Sequence, residues 1–267
     1  MPELPEVEIA RRNLVRWFQG RRVVATEADK SRTFRGADLK AFGALKGRLE
    51  HADRKGKYLL LAFEGGQGLV AHLGMTGKFI RRPVGQPELY SRARFVLDDG
   101  QVIHLRDPRM FGRIEPVAAA ALHQTAPVAA LGPDLLLDAP TAASLKAAVG
   151  HLKVGIKVAI MDQKRIAGLG NIHAAEALYR AHLHPARKPG TLKPAEWTRL
   201  AKAIRDGLRF AIDQQDEEEI QYVEEPGAQN PFLVYGRAGE KCRRCKKAIR
   251  SMTQGGRTTY FCPGCQK

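Results

Sequence analysis

Two Cys-X2-Cys pairs lie near the end of the chain, Cys242-Arg243-Arg244-Cys245 and Cys262-Pro263-Gly264-Cys265, with sixteen residues between them. That spacing supplies four thiolates from two turns that one hairpin can bring together, and a tetrahedral structural Zn²⁺ takes such a set. A four-sulfur shell leaves no open coordination position, so a single zinc ion is expected to hold the hairpin rather than to do chemistry. The competing reading is four free or disulfide-paired cysteines. All four cysteines of the chain fall in this tail, whereas a secreted disulfide scaffold usually spreads them through the sequence. A reducing compartment fits best, and Arg257 on the same hairpin is placed where a guanidinium could reach a phosphate.

A phosphate partner also follows from charge. Lys and Arg number 44 against 28 Asp and Glu, a formal net charge of +16. Clustered cations release condensed counterions from a phosphate backbone and so bind nucleic acid of any sequence. A membrane surface is the weaker reading: no stretch approaches the roughly 18 apolar residues of a spanning helix. The first residues are acidic and proline-bearing rather than basic then apolar, unlike a signal peptide. A cytoplasmic, nucleoid-associated protein without a membrane partner is expected.

Along the chain, Val7, Ala10, Leu14 and Phe18 recur at helical spacing, with Pro5 near the first turn and Gly20 as a stop. Short strand-like runs follow at Val23-Thr26, Tyr58-Phe63, Gly68-Leu73, Arg94-Leu97 and Val102-Leu105, with an Asp98-Asp99-Gly100 turn, and read as an antiparallel sandwich or barrel. Helical patterning returns at Leu145-Val149, Val154-Met161, Ile172-Ala181 and Ala195-Ile212. The expected division is a β-sandwich over 1–117, a linker over 118–140, a helical domain over 141–230 and the cysteine module over 231–267.

The N-terminus carries a chemical possibility. Loss of Met1 would expose a secondary amine on Pro2, and an α-amino group, with a pKa near ~8 against ~10.4 for lysine, is several hundred times more populated in its neutral form at pH 7. Condensed with a sugar aldehyde it gives an iminium that is cationic without protonation, which eases strand-breaking elimination. Glu3 and Glu6 flank this amine at a helix start, where either could act as acid or base. The plainer reading is that Pro and Glu simply suit a helix N-terminus. The helix dipole also lowers the pKa of a carboxyl meant to donate a proton.

Six blocks, PELPEVE at 2–8, HLGMTG at 72–77, DPRMFG at 107–112, GLGNIHAAE at 168–176, VYGRAGEKCRRC at 234–245 and the closing CPGC, together resemble formamidopyrimidine-DNA glycosylases and their endonuclease VIII relatives, in the family's order. The resemblance implies an α+β chain: an N-terminal β-sandwich with an N-terminal helix, a C-terminal helix–two-turns–helix domain and a four-Cys zinc finger. It implies a monomeric bifunctional glycosylase and abasic-site lyase that excises oxidised bases from double-stranded DNA, ending in β,δ-elimination. Pro2 would be the nucleophile at the sugar C1′, Glu3 the acid assisting ring opening and Glu6 a supporting carboxylate. Lys57, Asn171 and Arg257 would hold phosphates around the lesion. Met75, Arg109 and Phe111 would enter the space left when the damaged nucleotide is flipped out, a step whose stacking cost such a wedge offsets. Without the resemblance, Met75 and Phe111 read as core residues, Arg109 as a solvated loop charge, Lys57 as part of a basic patch and Asn171 as a helix cap.

The chain departs from the family where oxidised-purine enzymes carry a Gly- and Thr-rich loop that closes over the flipped base. Here stand Asp213-Gln214-Gln215-Asp216-Glu217-Glu218-Glu219-Ile220 and Glu224-Glu225-Pro226-Gly227. An acidic run beside a phosphate-binding cleft is expected to turn away as a solvated segment, the alternatives being a different lesion preference or a damped activity. Met110 and His173 also differ from the residues common in the family. A second class of function stays open, a protein that recognises damaged or abasic DNA without turnover.

Overall fold

The computed structural model of this chain describes residues 2–214 and 218–267. The chain divides into two compact units, Met1–Ala130 with Gln215–Pro226, and Leu131–Gln214 with Gly227–Lys267.

In the first unit the helical spacing near the N-terminus produces α1 (Leu4–Phe18), which buries Val7, Ala10, Leu14, Trp17 and Phe18. Then come β1 (Val23–Ala28), α2 (Leu39–Ala44), β2 (Leu49–Lys55), β3 (Tyr58–Phe63), β4 (Gln67–His72), β5 (Lys78–Pro83), β6 (Ser91–Leu97), β7 (Gln101–Arg106) and β8 (Arg113–Ala118). They pair antiparallel in two four-stranded sheets, ordered β1-β6-β7-β5 and β2-β3-β4-β8. The unbroken apolar run of β3 requires both of its faces to be covered, since successive side chains point to opposite sides. Leu59, Leu61 and Phe63 enter a core shared with Phe79, Phe95, Ile103 and Leu105 of the other sheet and with Leu14 and Phe18 of α1. Leu60 lies on the other face with Val70, Leu122 and Val128. The two sheets thus form a β-sandwich with α1 built into its core.

Three strands, β2, β5 and β8, carry no strand signal in the sequence. Each is an edge strand. Edges favour charges and tolerate proline, and LEHADRK, KFIRRP and RIEPVA show just these features, which hide the alternation. The first half of the expected 118–140 linker is likewise structured. A 3₁₀ turn over Ala119–Gln124 and the short α3 (Ala126–Ala129) bring Leu122 and Val128 over the outer face of β3 and β4.

The acidic run behaves differently from the solvated segment expected. Gln215, Asp216 and Glu217 lie outside the described residues, but 218–226 packs on the sandwich. Ile220 and Tyr222 are each only 5% exposed and belong to its core. Glu218 pairs with Arg81 at 2.9 Å, Glu219 with Arg82, and Glu225 with Lys78 at 3.0 Å. These three carboxylates are matched by the cations of β5, so the segment is held on the sandwich through Ile220 and Tyr222 while Glu218 and Glu219 stay partly exposed.

The second unit holds α4 (Ala142–Val149), α5 (Ile156–Ile160), α6 (Asn171–Arg180) and α7 (Pro194–Asp213), then the hairpin of β9 (Arg250–Gln254) and β10 (Arg257–Phe261). Thr141 caps α4, its hydroxyl accepting the Ser144 N–H at 3.0 Å. Pro194 sits in the first turn of α7, and Glu196 there accepts the Lys193 N–H at 2.7 Å. Between α5 and α6 the chain turns at Gly168, whose φ of +121° a side chain would strain. Among the described residues no helix is long and apolar enough to cross a membrane.

Candidate nucleic-acid and catalytic site

The start of α1 is buried, which is unusual for charged residues. Pro2 is buried beside Glu3, the extended N-cap residue, and Glu3 and Glu6 are 0% and 5% exposed. The Glu6 carboxylate accepts the Glu3 backbone N–H at 2.8 Å, fixing the backbone next to Pro2. Glu8, which the sequence reading did not single out, anchors the helix from its other side. Its carboxylate takes Arg11 at 2.8 Å, Arg12 at 3.0 Å and the buried Arg54 of β2 at 3.2 Å, while Arg54 also donates to the Gly56 carbonyl at 2.9 Å. Burial pushes the Glu8 carboxyl up, but the Arg11 hydrogen bond and the surrounding guanidinium groups outweigh it, and the carboxyl ends below its ordinary range. This network ties α1 to the β2–β3 turn that bears Lys57. Met1, whose loss would free the Pro2 amine, lies outside the described residues.

Lys57 follows Gly56 in that turn and is half-buried. Burial and then the nearby Lys57 ammonium push the His72 imidazole down to about 4. The ring Nδ1 accepts the Gly74 N–H at 3.0 Å, so His72 is neutral with its proton on Nε2.

The 72–77 and 107–112 loops share one organising group, the fully buried Asp107. Its carboxylate accepts the Thr76 hydroxyl at 2.6 Å, the Gly112 N–H at 2.7 Å and the Arg109 N–H at 3.3 Å. The loops touch so closely that a Cβ on Gly74, which has φ +65°, would fall 2.4 Å from the Phe111 carbonyl carbon. Asp107 thereby brings Met75, Arg109 and Phe111 onto one joined pair of loops. Phe111 is 49% exposed and Arg109 is exposed, its guanidinium 4.8 Å from the Phe111 ring centroid. Met75 is half-buried. Phe111 is therefore a surface ring stacked with a cation and not the core residue that its apolar character alone suggests.

Asn171 and Arg257 come together in the second unit. Asn171 opens α6, its Nδ2 donating to the Thr258 carbonyl at 3.1 Å, next in sequence to the exposed Arg257. Lys157 of α5, only 1% exposed, donates to the Asn171 side-chain oxygen and to the Thr259 hydroxyl at 2.8 Å. The sequence reading missed this lysine because its helical position reads as surface. Glu176, also on α6, collects the backbone N–H groups of Leu233, Val234 and Tyr235 at 2.8–3.1 Å, so the helix holds the strand of chain that leads into the cysteine module.

In that module the sulfur atoms of Cys242, Cys245, Cys262 and Cys265 all lie within 4.8 Å of one another. Cys242 and Cys265 are 3.8 Å apart and Cys245 and Cys262 3.3 Å, and none is in a disulfide. A tetrahedron of sulfurs about 2.3 Å from a metal has edges of about 3.8 Å, so the four thiols suit a metal ion. The Tyr179 hydroxyl, 3.2 Å from the Cys242 sulfur, joins α6 to the cluster.

Residues 1–114 match the formamidopyrimidine-DNA glycosylase N-terminal domain, residues 131–222 the formamidopyrimidine-DNA glycosylase H2TH domain, and residues 239–267 a zinc finger found in FPG and IleRS. Curated formamidopyrimidine-DNA glycosylases of Heliobacterium modesticaldum and Methylococcus capsulatus are each 38% identical over 277 residues, covering 100% of both chains. The solved MutM (FPG) protein from Thermus thermophilus superposes with a TM-score of 0.83 at 35% identity, over 99% of this chain and 98% of that one. Lactococcus lactis Fpg in complex with DNA containing an abasic site gives 0.88 at 29% identity, over 100% of both chains.

Proposed function

Because this chain belongs to the formamidopyrimidine-DNA glycosylase family of base-excision repair enzymes, we propose that it removes oxidised bases from duplex DNA with the Pro2 amine as nucleophile and then cleaves the strand. The relatives' structures with abasic and Fapy-dG DNA support damaged duplex as the substrate. The observation that carries the mechanism is the buried, hydrogen-bonded N-terminal turn, with Glu3 held next to Pro2 by Glu6. A nucleophile and an acid on one rigid turn meet the proximity requirement of covalent catalysis.

In this mechanism the Pro2 nitrogen bonds to C1′ as the bond from C1′ to the base breaks and the base leaves with a proton. Glu3 protonates the ring oxygen, the sugar opens, and nitrogen and C1′ form an iminium. Loss of a C2′ proton expels the 3′ phosphate, a second elimination expels the 5′ phosphate, and water releases Pro2. Lys57, Asn171 and Arg257 hold backbone phosphates, and Met75, Arg109 and Phe111 fill the gap in the stack. The cysteine cluster holds one Zn²⁺, which keeps the β9–β10 hairpin and Arg257 in place and does no chemistry.

Borohydride reduction tests the reading: wild type should form a covalent adduct with duplex carrying 8-oxoguanine, formamidopyrimidine, an oxidised pyrimidine or an abasic site, and Pro2→Gly far less. No adduct on any of them refutes the lyase mechanism. The competing reading is binding without turnover; the acidic run that favours it has Glu218, Glu219 and Glu225 paired to cations of β5. An intact mass that retains Met1 would favour it.

A further inference from the structure

The segment after α7 holds the loop that carries Met75. From its geometry we infer that Tyr222, clamped by Lys78, is a positioning residue for Met75, so that the acidic segment serves nucleotide extrusion in this enzyme as a docked strap. The inference rests on the gap-filling role of Met75 in the reading above.

Met75 lies in a tight turn closed by the Gly77 N–H on the Leu73 carbonyl at 2.9 Å. One side of the turn is held by Asp107 through Thr76. The other side is held by the strap. The Tyr222 hydroxyl donates to the Gly77 carbonyl at 2.6 Å, at the very residue that closes the turn. The next residue, Lys78, is 6% exposed and donates to the Ile220 carbonyl at 3.2 Å and to both Glu225 oxygens at 3.0 and 3.1 Å, with its ammonium 5.9 Å from the Tyr222 ring centroid. Strap and turn are therefore bonded at two successive residues. Farther along β5, Arg81 and Arg82 take Glu218 and Glu219, and Asn13 of α1 donates to the Glu218 carbonyl at 3.2 Å.

The Tyr222 hydroxyl is an obligate donor here. Burial first, then the carboxylates of Glu6, Glu225, Asp107 and Glu224, push it well above the ordinary phenol range. Its bond to Gly77 puts the hydroxyl one residue along from Thr76, the residue that Asp107 holds. A loop that must order around each lesion loses conformational entropy on every encounter; a strap already folded onto the sandwich has lost it in the free protein. The acidic composition follows from the docking site, since β5 offers Lys78, Arg81 and Arg82 and each takes one carboxylate of the strap, Glu225, Glu218 and Glu219 in turn.

The experiment uses the full-length zinc-loaded protein and a duplex with a tetrahydrofuran abasic analogue opposite 2-aminopurine, whose fluorescence rises when the orphaned base loses its stacking. Wild type should raise the signal and Met75→Ala should not. Tyr222→Phe, which keeps the ring and removes one hydroxyl, and Glu225→Gln, which weakens the clamp, should each lose at least half of the rise. Single-turnover excision of a paired lesion should slow about tenfold in Tyr222→Phe, as expected when a buried carbonyl loses its donor. Borohydride trapping on a single-stranded abasic oligonucleotide, which has no stack to refill, should stay within twofold of wild type. A Tyr222→Phe protein that keeps the rise which Met75→Ala loses, or that loses trapping and excision equally, overturns the positioning role. If wild type traps but gives no fluorescence rise, the wedge and its strap fail while the glycosylase reading stands.

Discussion

Asp107 bears more of the site's geometry than any residue that would touch DNA, and replacing it gives a sharp test. Asp107→Ala removes the acceptor for the buried Gly112 N–H and the Thr76 hydroxyl, and for the more exposed Arg109 N–H. Each buried donor left without a partner costs about 1–3 kcal/mol, and bonds to a charged acceptor lie at the upper end, so the two inner bonds together are worth about 3–5 kcal/mol. For a unit of this size that corresponds to a fall in Tm of roughly 10–20 °C. Asp107→Asn keeps one oxygen but turns an NH₂ group toward the second donor, so it should lose about half as much. Because the carboxylate also joins the loops that bear the proposed wedge, excision of a paired lesion should fall by about 100-fold in the alanine variant, the size expected for a misplacement of about 1 Å. Urea unfolding and single-turnover excision measure the two effects. An alanine variant within about 0.5 kcal/mol of wild type would show that water satisfies these donors and that the loops do not depend on Asp107.

Other consequences are checked more briefly. Gly74→Ala places a methyl against the Phe111 carbonyl at a positive φ, and the backbone strain and forced repacking should together cost about 2–4 kcal/mol, read from thermal melting. His72 is held neutral in the folded chain at a pKa of about 4, below its unfolded 6.5. The unfolded chain therefore binds the extra proton between these values, and stability falls as pH drops from 6.5 through 4; His72→Asn, whose side-chain oxygen can still accept the Gly74 N–H, should flatten that slope by up to one proton in denaturation curves. Stripping the metal with a strong chelator should release one zinc per chain by elemental analysis and weaken duplex affinity by loosening the hairpin that carries Arg257; unchanged affinity would separate the metal from DNA binding.

Much of the fold is legible in local sequence. The helical spacing of Val7, Ala10, Leu14 and Phe18 gives α1, the apolar run at Tyr58–Phe63 gives a strand covered on both sides, and the cysteine spacing gives a metal knuckle pair. The six ordered blocks identify the family, and the matches over 1–114, 131–222 and 239–267 agree with it. The edge strands β2, β5 and β8 are hidden in the sequence because their charges and prolines serve the edge and not the core. Glu8, Lys157 and Glu176 escaped because a charged residue on a helix ordinarily faces water, and nothing local says that it is buried. The acidic run was misjudged for the same reason: its partners Lys78, Arg81 and Arg82 are some 140 positions away in sequence.

The amino-acid order by itself thus determined the longer helices and the central strands, where a metal is held, and which residues are candidates for chemistry, since each depends on periodicity or spacing within a few turns of chain. Tertiary structure alone decided which charges are buried and paired, that Asp107 joins the 72–77 and 107–112 loops, and that Tyr222 reaches Gly77. Those contacts join residues dozens to well over a hundred positions apart. Their energies arise only once folding has removed water from both partners at the same point in space.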